Sequence, residues 1–321
     1  MNLLILSCGT RNMLVRFFKE SGFDKVVGTD CSSLAPALYE ADAYYLVPRM
    51  SEPGYLDEIL SICKKEKIHA VLPLQEDELH LIAQKKALFL ENRIVPIVSE
   101  VDSIDLCRDK MKFYHHLKNA GIPVLPSYDS LEEFQKAYEG GEECFPVFVK
   151  PIAGAGSIGA MKVNSIELLT ALMKDSEEPL MIQRFSHGKE YGADIYADLL
   201  TGRVTDIFLK EKLRMRAGET EKSVSVKKPE IFELILRTLQ QLSLRGPVDM
   251  DIFESNGTFF VSEINPRFGG GYPHAYACDV SFPQNILANL EGTENEVRIG
   301  AYEEGVYVLK YSDIKVQRFL Q

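Results

Sequence analysis

The chain has 321 residues, 45% of them hydrophobic and 26% charged, with a formal net charge of −11 and a pI near 5.2. That length suits two or three compact units with a real core. An acidic surface argues against general binding to nucleic acid or to an anionic membrane, so an anionic ligand needs a local basic pocket.

The first hundred residues alternate strand and helix signals. Strands are expected over 3–6, 25–28, 44–47, 70–73 and 94–98, and helices over 12–21, 55–66 and 76–90. This β-α-β rhythm predicts a parallel sheet covered on both faces. The opening residues Asn2 to Leu6 read as a buried strand and not as a leader, and no apolar run reaches bilayer length, so a cytoplasmic protein is expected. A helical stretch follows over 102–120, closed by Gly121 and Pro123. The pattern then changes to strands over 145–150, 160–163, 181–185 and 191–200, with a helix over 166–174. The stretch 204–226 reads as strands around a charged loop, 230–242 as a helix, and 248–254 with 258–264 as a hairpin about Ser255-Asn256-Gly257. The cysteines at 8, 31, 63, 107, 144 and 278 form no C-x-x-C pair, and the histidines lack ligand spacing, so neither a disulfide frame nor a zinc site is expected.

Two segments carry chemistry. Phe145 to Pro151 runs into Gly154-Ala155-Gly156-Ser157-Ile158-Gly159, a G-x-G-x-x-G pattern. A strand, not a helix, is expected after it, which fits neither a Rossmann turn nor a Walker loop. A strand–loop–strand hairpin can instead fold over phosphates with Lys150 supplying charge; a plain turn with a solvated lysine is the alternative. In the second segment, alternation places Asp249 and Asp251 on one face, and Glu263 and Asn265 likewise. The hairpin brings Asp251 beside Glu263, and hard oxygen ligands on half-buried strands suit magnesium; an edge strand with solvated acids is the alternative. Asp249 remains open as the first ligand in place of Asp251. Arg267 follows Pro266 just past the strand, positioned to clamp a phosphoryl group, and Phe268 precedes three glycines.

In order along the chain, Arg108-Asp109-Lys110, Phe145 to Pro151 with its loop, Gln183-Arg184-Phe185 through Gly188-Lys189-Glu190-Tyr191, and Glu263-Ile264-Asn265-Pro266-Arg267 resemble the ATP-grasp superfamily. The resemblance is to its carbamoyl-phosphate synthase large-subunit-like branch. It implies an α/β and α+β architecture. A Rossmann-like pre-ATP-grasp domain would span 1–100, a linker helix and small glycine-loop lid 101–185, and a larger antiparallel-sheet domain 186–321. ATP would lie between the last two. The resemblance further implies that Lys110 and Lys150 contact ATP, with Gly154, Gly156, Ser157 and Gly159 over its phosphates. Gln183, Arg184 and Phe185 would form the adenine hinge, with Gln183 standing where many relatives carry glutamate. Glu190 would bind ribose, Asp251, Glu263 and Asn265 would hold magnesium or manganese, and Arg267 would steady the transition state.

The implied reaction is an ADP-forming, ATP-dependent ligation. A carboxylate attacks the γ-phosphate, and an amine or ammonia then displaces phosphate from the acyl phosphate. Lys210 to Glu219 is the best local basic cluster, expected between strands, and Arg214 or Arg216 could hold a substrate carboxylate; a solvated charged loop is the alternative. Small-molecule substrates and a possible homodimer are expected, with no nucleic acid or membrane partner. The chain has room for one ATP-grasp unit where a full carbamoyl-phosphate synthase large subunit has two. Bicarbonate activation by a half-length subunit and a non-catalytic ATP-binding regulator therefore stay as alternatives. A dinucleotide-dependent oxidoreductase does not fit, because Ser7-Cys8-Gly9-Thr10-Arg11-Asn12 holds one glycine where that fingerprint needs three.

Overall fold

The computed structural model describes residues 1–154, 159–216 and 218–318, and places their strands in three sheets. The first is parallel, in the order β3-β2-β1-β4-β5, from β1 (Asn2–Leu6), β2 (Lys25–Asp30), β3 (Ala43–Leu46), β4 (Ala70–Pro73) and β5 (Val95–Pro96). Its helices are α1 (Asn12–Glu20), α2 (Tyr55–Glu66), α3 (Glu76–Gln84) and α4 (Lys86–Glu91). Side chains of β1 alternate between two cores, as a doubly covered sheet requires. Leu3 and Ile5 join α1 on one face, while Leu4 and Leu6 join α2 and α3 on the other.

Two expected long helices are each broken. The first divides at Lys85. The second divides at Asp109 into α5 (Val101–Arg108) and α6 (Lys110–Asn119). The Asp109 carboxylate accepts the N–H groups of Met111 and Lys112 at 3.2 and 2.9 Å, so it caps α6. Apolar periodicity ran through this aspartate unbroken; the cap decides the boundary and leaves Lys110 in the first turn.

The second sheet is β6 (Ser127–Tyr128), β7 (Val147–Pro151), β8 (Met161–Val163) and β9 (Leu180–Arg184), in the order β6-β9-β7-β8. It is backed by α7 (Leu131–Glu139), which the sequence pattern had not revealed, and by α8 (Ile166–Asp175), around Phe134, Val149 and Leu169. The third sheet runs β14-β13-β10-β11-β12-β15, from β10 (Glu190–Ala197), β11 (Val204–Arg216), β12 (Glu219–Ser225), β13 (Gly246–Ser255), β14 (Thr258–Asn265) and β15 (Tyr307–Leu309). One face packs Tyr191, Ile195, Leu209, Met250 and Ile252 against α9 (Pro229–Leu239). The opposite face carries Tyr196 and Phe208 into the core shared with the first unit and, further along, the polar Glu190, Lys210, Lys212, Asp249 and Asp251.

The first and third units share a core. Phe17 and Phe18 of α1 pack on Phe268, Tyr272 and Phe282, beside α10 (Pro273–Ala277) and α11 (Phe282–Leu290), and Phe17 stacks on Tyr276 with ring centroids 3.7 Å apart. This contact fixes the residues just before α1 against the third sheet.

Glu78 of α3 is buried where β1 ends, accepting hydrogen bonds from Ser7 Oγ at 2.9 Å and from the Tyr55 hydroxyl. Burial pushes its carboxyl up from 4.5 to about 7, against those two hydrogen bonds. A carboxyl raised in the folded state adds stability at low pH that is lost as pH rises through its folded value. Glu78→Gln should therefore flatten the stability profile between pH 5 and 8 and exceed the parent at pH 8 by roughly 2–3 kcal/mol. Urea midpoints across that range check this, and parallel profiles for the two proteins would contradict it.

Candidate active site

The polar face of the third sheet forms one wall of a cleft of about 530 Å³ that the second sheet and the start of α1 also line. Strand register assembles that wall. Asp251 lies opposite Glu263 and Asp249 opposite Asn265 across β13 and β14. On the other side of β13, Asp251 faces Gly192 and Asp249 faces Asp194 of β10. Residues opposite one another share a face, so these acids all point the same way. The hairpin closes through Asn256 and Gly257, both at positive φ (50° and 75°), a two-residue turn that Asn-Gly favours.

Lysines from β11 balance part of this charge. Lys212 Nζ lies 2.8 Å from Glu190 Oε1 and 2.6 Å from Asp251 Oδ1. Burial alone would lower its pKa, but Asp251, Glu190 and Asp249 outweigh burial and hold the ammonium charged. Lys210 pairs with the fully buried Asp194 in the next row. One cation shared among several carboxylates leaves a surplus of negative charge, and it falls on Asp251. Burial pushes that carboxyl up to about 7; Lys212 opposes, while Asp249, Glu263 and Glu190 reinforce.

That surplus, with the donor set, fits a divalent cation. Asp251, Glu263 and the Asn265 carbonyl offer hard oxygens, and Asn265 Nδ2 donates to Asp249 Oδ2 at 3.3 Å, leaving Oδ1 as the free acceptor. Asp249 is otherwise engaged: its Oδ2 is 3.6 Å from Arg267 Nη1. Among the described residues no three His, Cys, Asp or Glu side chains converge to hold a metal unaided. Phosphate oxygens and water would have to complete the shell, as they commonly do for magnesium.

Across the cleft, Lys150 at the end of β7 is buried, which lowers its pKa; Glu263 partly offsets this, and the nearby Lys110 adds to it. Lys110 Nζ donates to the carbonyl of Gly154, where the glycine loop begins, at 2.6 Å. Two neighbouring ammonium groups there repel unless an anion lies between them. Gly154 and Gly159 sit at positive φ (102° and 73°); Gly156 and Ser157 lie outside the described residues.

Gln183, Arg184 and Phe185 line the cleft, but two of these side chains are committed elsewhere. Gln183 Nε2 donates to Ser127 Oγ at 3.1 Å, and Arg184 grips the buried Glu143 carboxylate at 2.9 and 2.6 Å. Phe185 carries the Lys162 ammonium 4.4 Å from its ring centre.

Arg267 Nη2 lies 2.9 Å from Glu76 Oε1, and its Nη1 donates to the Phe268 carbonyl at 3.1 Å. The following glycines are required by their neighbours. A β-carbon on Gly269 would stand 2.3 Å from Asp249 Oδ1, and one on Gly271 would stand 2.7 Å from Lys210 Cε. The backbone here closes on the site's own charged side chains.

Arg214 and Arg216 are not brought into the cleft. Both lie within β11, not in a loop, and both pair with Glu221, at 2.9 and 3.4 Å, while largely exposed. Register shifts between Lys212 and Arg214 and between Arg214 and Met215 break the alternation, and Met215 lines the cleft instead. Arg214→Ala with Arg216→Ala is expected to change kcat/KM less than about threefold, within the range of exposed ion pairs; a loss above tenfold would place them in the site after all. The cleft also holds Lys212, which the sequence shows only as part of a basic cluster, and Glu76. Lys210 and Lys212 sit two apart in a strand-forming stretch, and that spacing was the available signal. Glu76 had none, because its partner is 191 residues away.

The cleft lies between two antiparallel sheets. The ATP-grasp domain family matches residues 107–271, and the PylC-like, N-terminal domain family matches residues 3–98. The chain belongs to the ATP-grasp domain family. It is 27% identical over 283 residues to the carbamoyl phosphate synthase large chain of Clostridium beijerinckii, covering 81% of this chain and 25% of that one. It thus spans about a quarter of that relative's length. Its fold is similar to N5-carboxyaminoimidazole synthetase from Staphylococcus aureus complexed with ADP (TM-score 0.73, 20% identity, 91% of this chain and 77% of that one). It is also similar to L-amino acid ligase from Bacillus licheniformis (TM-score 0.70, 18% identity, 92% and 75%). Among the described residues, no helix is long and apolar enough to cross a membrane.

Proposed function

We propose that the protein joins a carboxylate to an amine or ammonia through an acyl phosphate, at the expense of ATP and with magnesium or manganese. The observation that carries this reading is the in-register pair Asp251 and Glu263, with Asn265 beside them, facing Lys150 within one cleft. A bound divalent ion would neutralise phosphate charge and polarise the γ-phosphoryl group. Asp251, Glu263 and Asn265 would hold it. Lys150 and Lys110 bring positive charge to the other side of the phosphates. Glu190 is placed to accept from ribose hydroxyls, sharing Lys212 with Asp251. Phe185 offers an apolar wall to adenine, while Gln183 and Arg184 contribute through the backbone. Arg267, steadied by Glu76, faces the charge that develops on the transferred group.

The substrate carboxylate attacks the γ-phosphorus; the new O–P bond forms as the bond to ADP breaks. The amine then attacks the acyl carbon, phosphate leaves with the electron pair, and the nitrogen gives up one proton to the departing phosphate or to water. Excluding water from the cleft would protect the intermediate. The test is ADP and phosphate release with Mg·ATP against bicarbonate plus ammonia, and against single and paired amino acids. Stimulation by one acceptor pair supports a ligase and identifies the substrates. Bound ATP without stimulation favours a nucleotide-binding regulator, and absence of ATP binding overturns the reading.

A further inference from the structure

Arg11, the residue before α1, lines the same cleft and has no place in the reading above. Its position is fixed, because Phe17 and Phe18 lock α1 onto the third unit. Among the described residues its guanidinium makes one long ion pair, 3.9 Å from Glu219 Oε1, and no side-chain hydrogen bond. Arginine carries five N–H donors, so most of this fork is unused. Burial lowers its pKa, with Glu219 opposing and the nearby Arg267 adding to the shift. Arg267 differs in being held by Glu76, Asp249 and the Phe268 carbonyl.

Glu219 is oriented too. Lys310 Nζ binds its Oε2 at 2.8 Å, which leaves Oε1 turned towards Arg11. That hydrogen bond keeps the carboxyl below its ordinary value, hence ionised. A β-carbon on Gly270 would stand 3.1 Å from both Arg11 Nη1 and Glu219 Oε1, so the glycine backbone floors the space between them. The result is a planar cation and an ionised acid, side by side, next to Arg267.

Resting on the ligase reading, we propose that Arg11 and Glu219 form the subsite of an α-amino acid substrate. Arg11 takes the α-carboxylate through two N–H donors and Glu219 takes the α-ammonium. The substrate class is thus an amino acid bound as a zwitterion, and bicarbonate is not the ligand of this subsite.

The experiment is steady-state ADP release with Mg·ATP and the twenty proteinogenic L-amino acids, singly and in pairs. Each is also supplied as its α-amide and its N-acetyl form. A free amino acid should stimulate release, with both derivatives at least about tenfold poorer in kcat/KM. Arg11→Gln and Glu219→Gln should each raise the KM for that amino acid by about tenfold or more. Arg11→Lys, which keeps the charge and loses the fork, should fall between. Calorimetric binding of Mg·ADP to each variant establishes that the cleft is intact. Equal use of acid and amide, an unchanged KM in Arg11→Gln, or Mg·ATP binding without stimulation by any amino acid overturns the subsite alone. Failure to bind Mg·ATP overturns the ligase reading and this inference together.

Discussion

Glu263→Gln is expected to abolish ATP turnover, with kcat/KM falling by at least about 10²-fold, a loss of roughly 3 kcal/mol of transition-state stabilisation. The substitution keeps shape and removes one charge from the cluster that opposes ionisation of Asp251. Its fold should therefore survive. The loss should come with a weaker apparent affinity for magnesium, read by titrating the metal at fixed ATP. A purely structural acid would behave differently, since its neutral variant would lose stability and keep its metal dependence. Turnover within about threefold of the parent would show that the acidic hairpin does not hold the metal.

Lys212→Met is the second large effect. The ammonium is buried, its side chain 6% exposed, between Glu190 and Asp251. Methionine preserves most of the packing and leaves both carboxylates without their counter-charge. Removing one partner from a buried ion pair typically costs about 3–5 kcal/mol, because the stranded charge remains. Urea unfolding should show a loss of that order, reduced by a second change, Asp251→Asn, that takes away one of the stranded charges. Coupling between the two positions is the diagnostic. A loss below about 1 kcal/mol would mean that water already solvates the three groups. The lysine is thus expected to hold the site's charges in place while the metal site is empty. It would be free to release Asp251 when the cation binds.

Three sheets meet in one cleft here, and none could build it alone. The third sheet contributes a charged face because its other face is apolar and packed on α9. The second contributes a buried lysine. The first contributes Arg11 through an aromatic contact with α10 and α11. Removing Phe17 would accordingly loosen the proposed amino acid subsite before it disturbed the proposed nucleotide site.

Much of this was legible in the order of residues. Period-two alternation and an Asn-Gly turn sufficed to pair Asp251 with Glu263, because hairpin register is a local property. The parallel sheet of the first unit was legible for a related reason: strands covered on both faces are continuously apolar, as Leu3 to Leu6 are. The spaced set Lys110, Lys150, Glu263, Asn265 and Arg267 carried the family resemblance. Tertiary structure alone decided the rest. Two register irregularities after Lys212 left Arg214 and Arg216 paired with Glu221 and the two lysines facing inwards, and no composition rule foretells such irregularities in a strand. The capping of α6 by Asp109 competed with an unbroken apolar period and won. Glu76 with Arg267, and Arg11 with Glu219, join residues far apart in sequence, so their meeting depends on how three packed units dock. Local pattern records what a segment will form; which charges then face one another is settled by packing between segments.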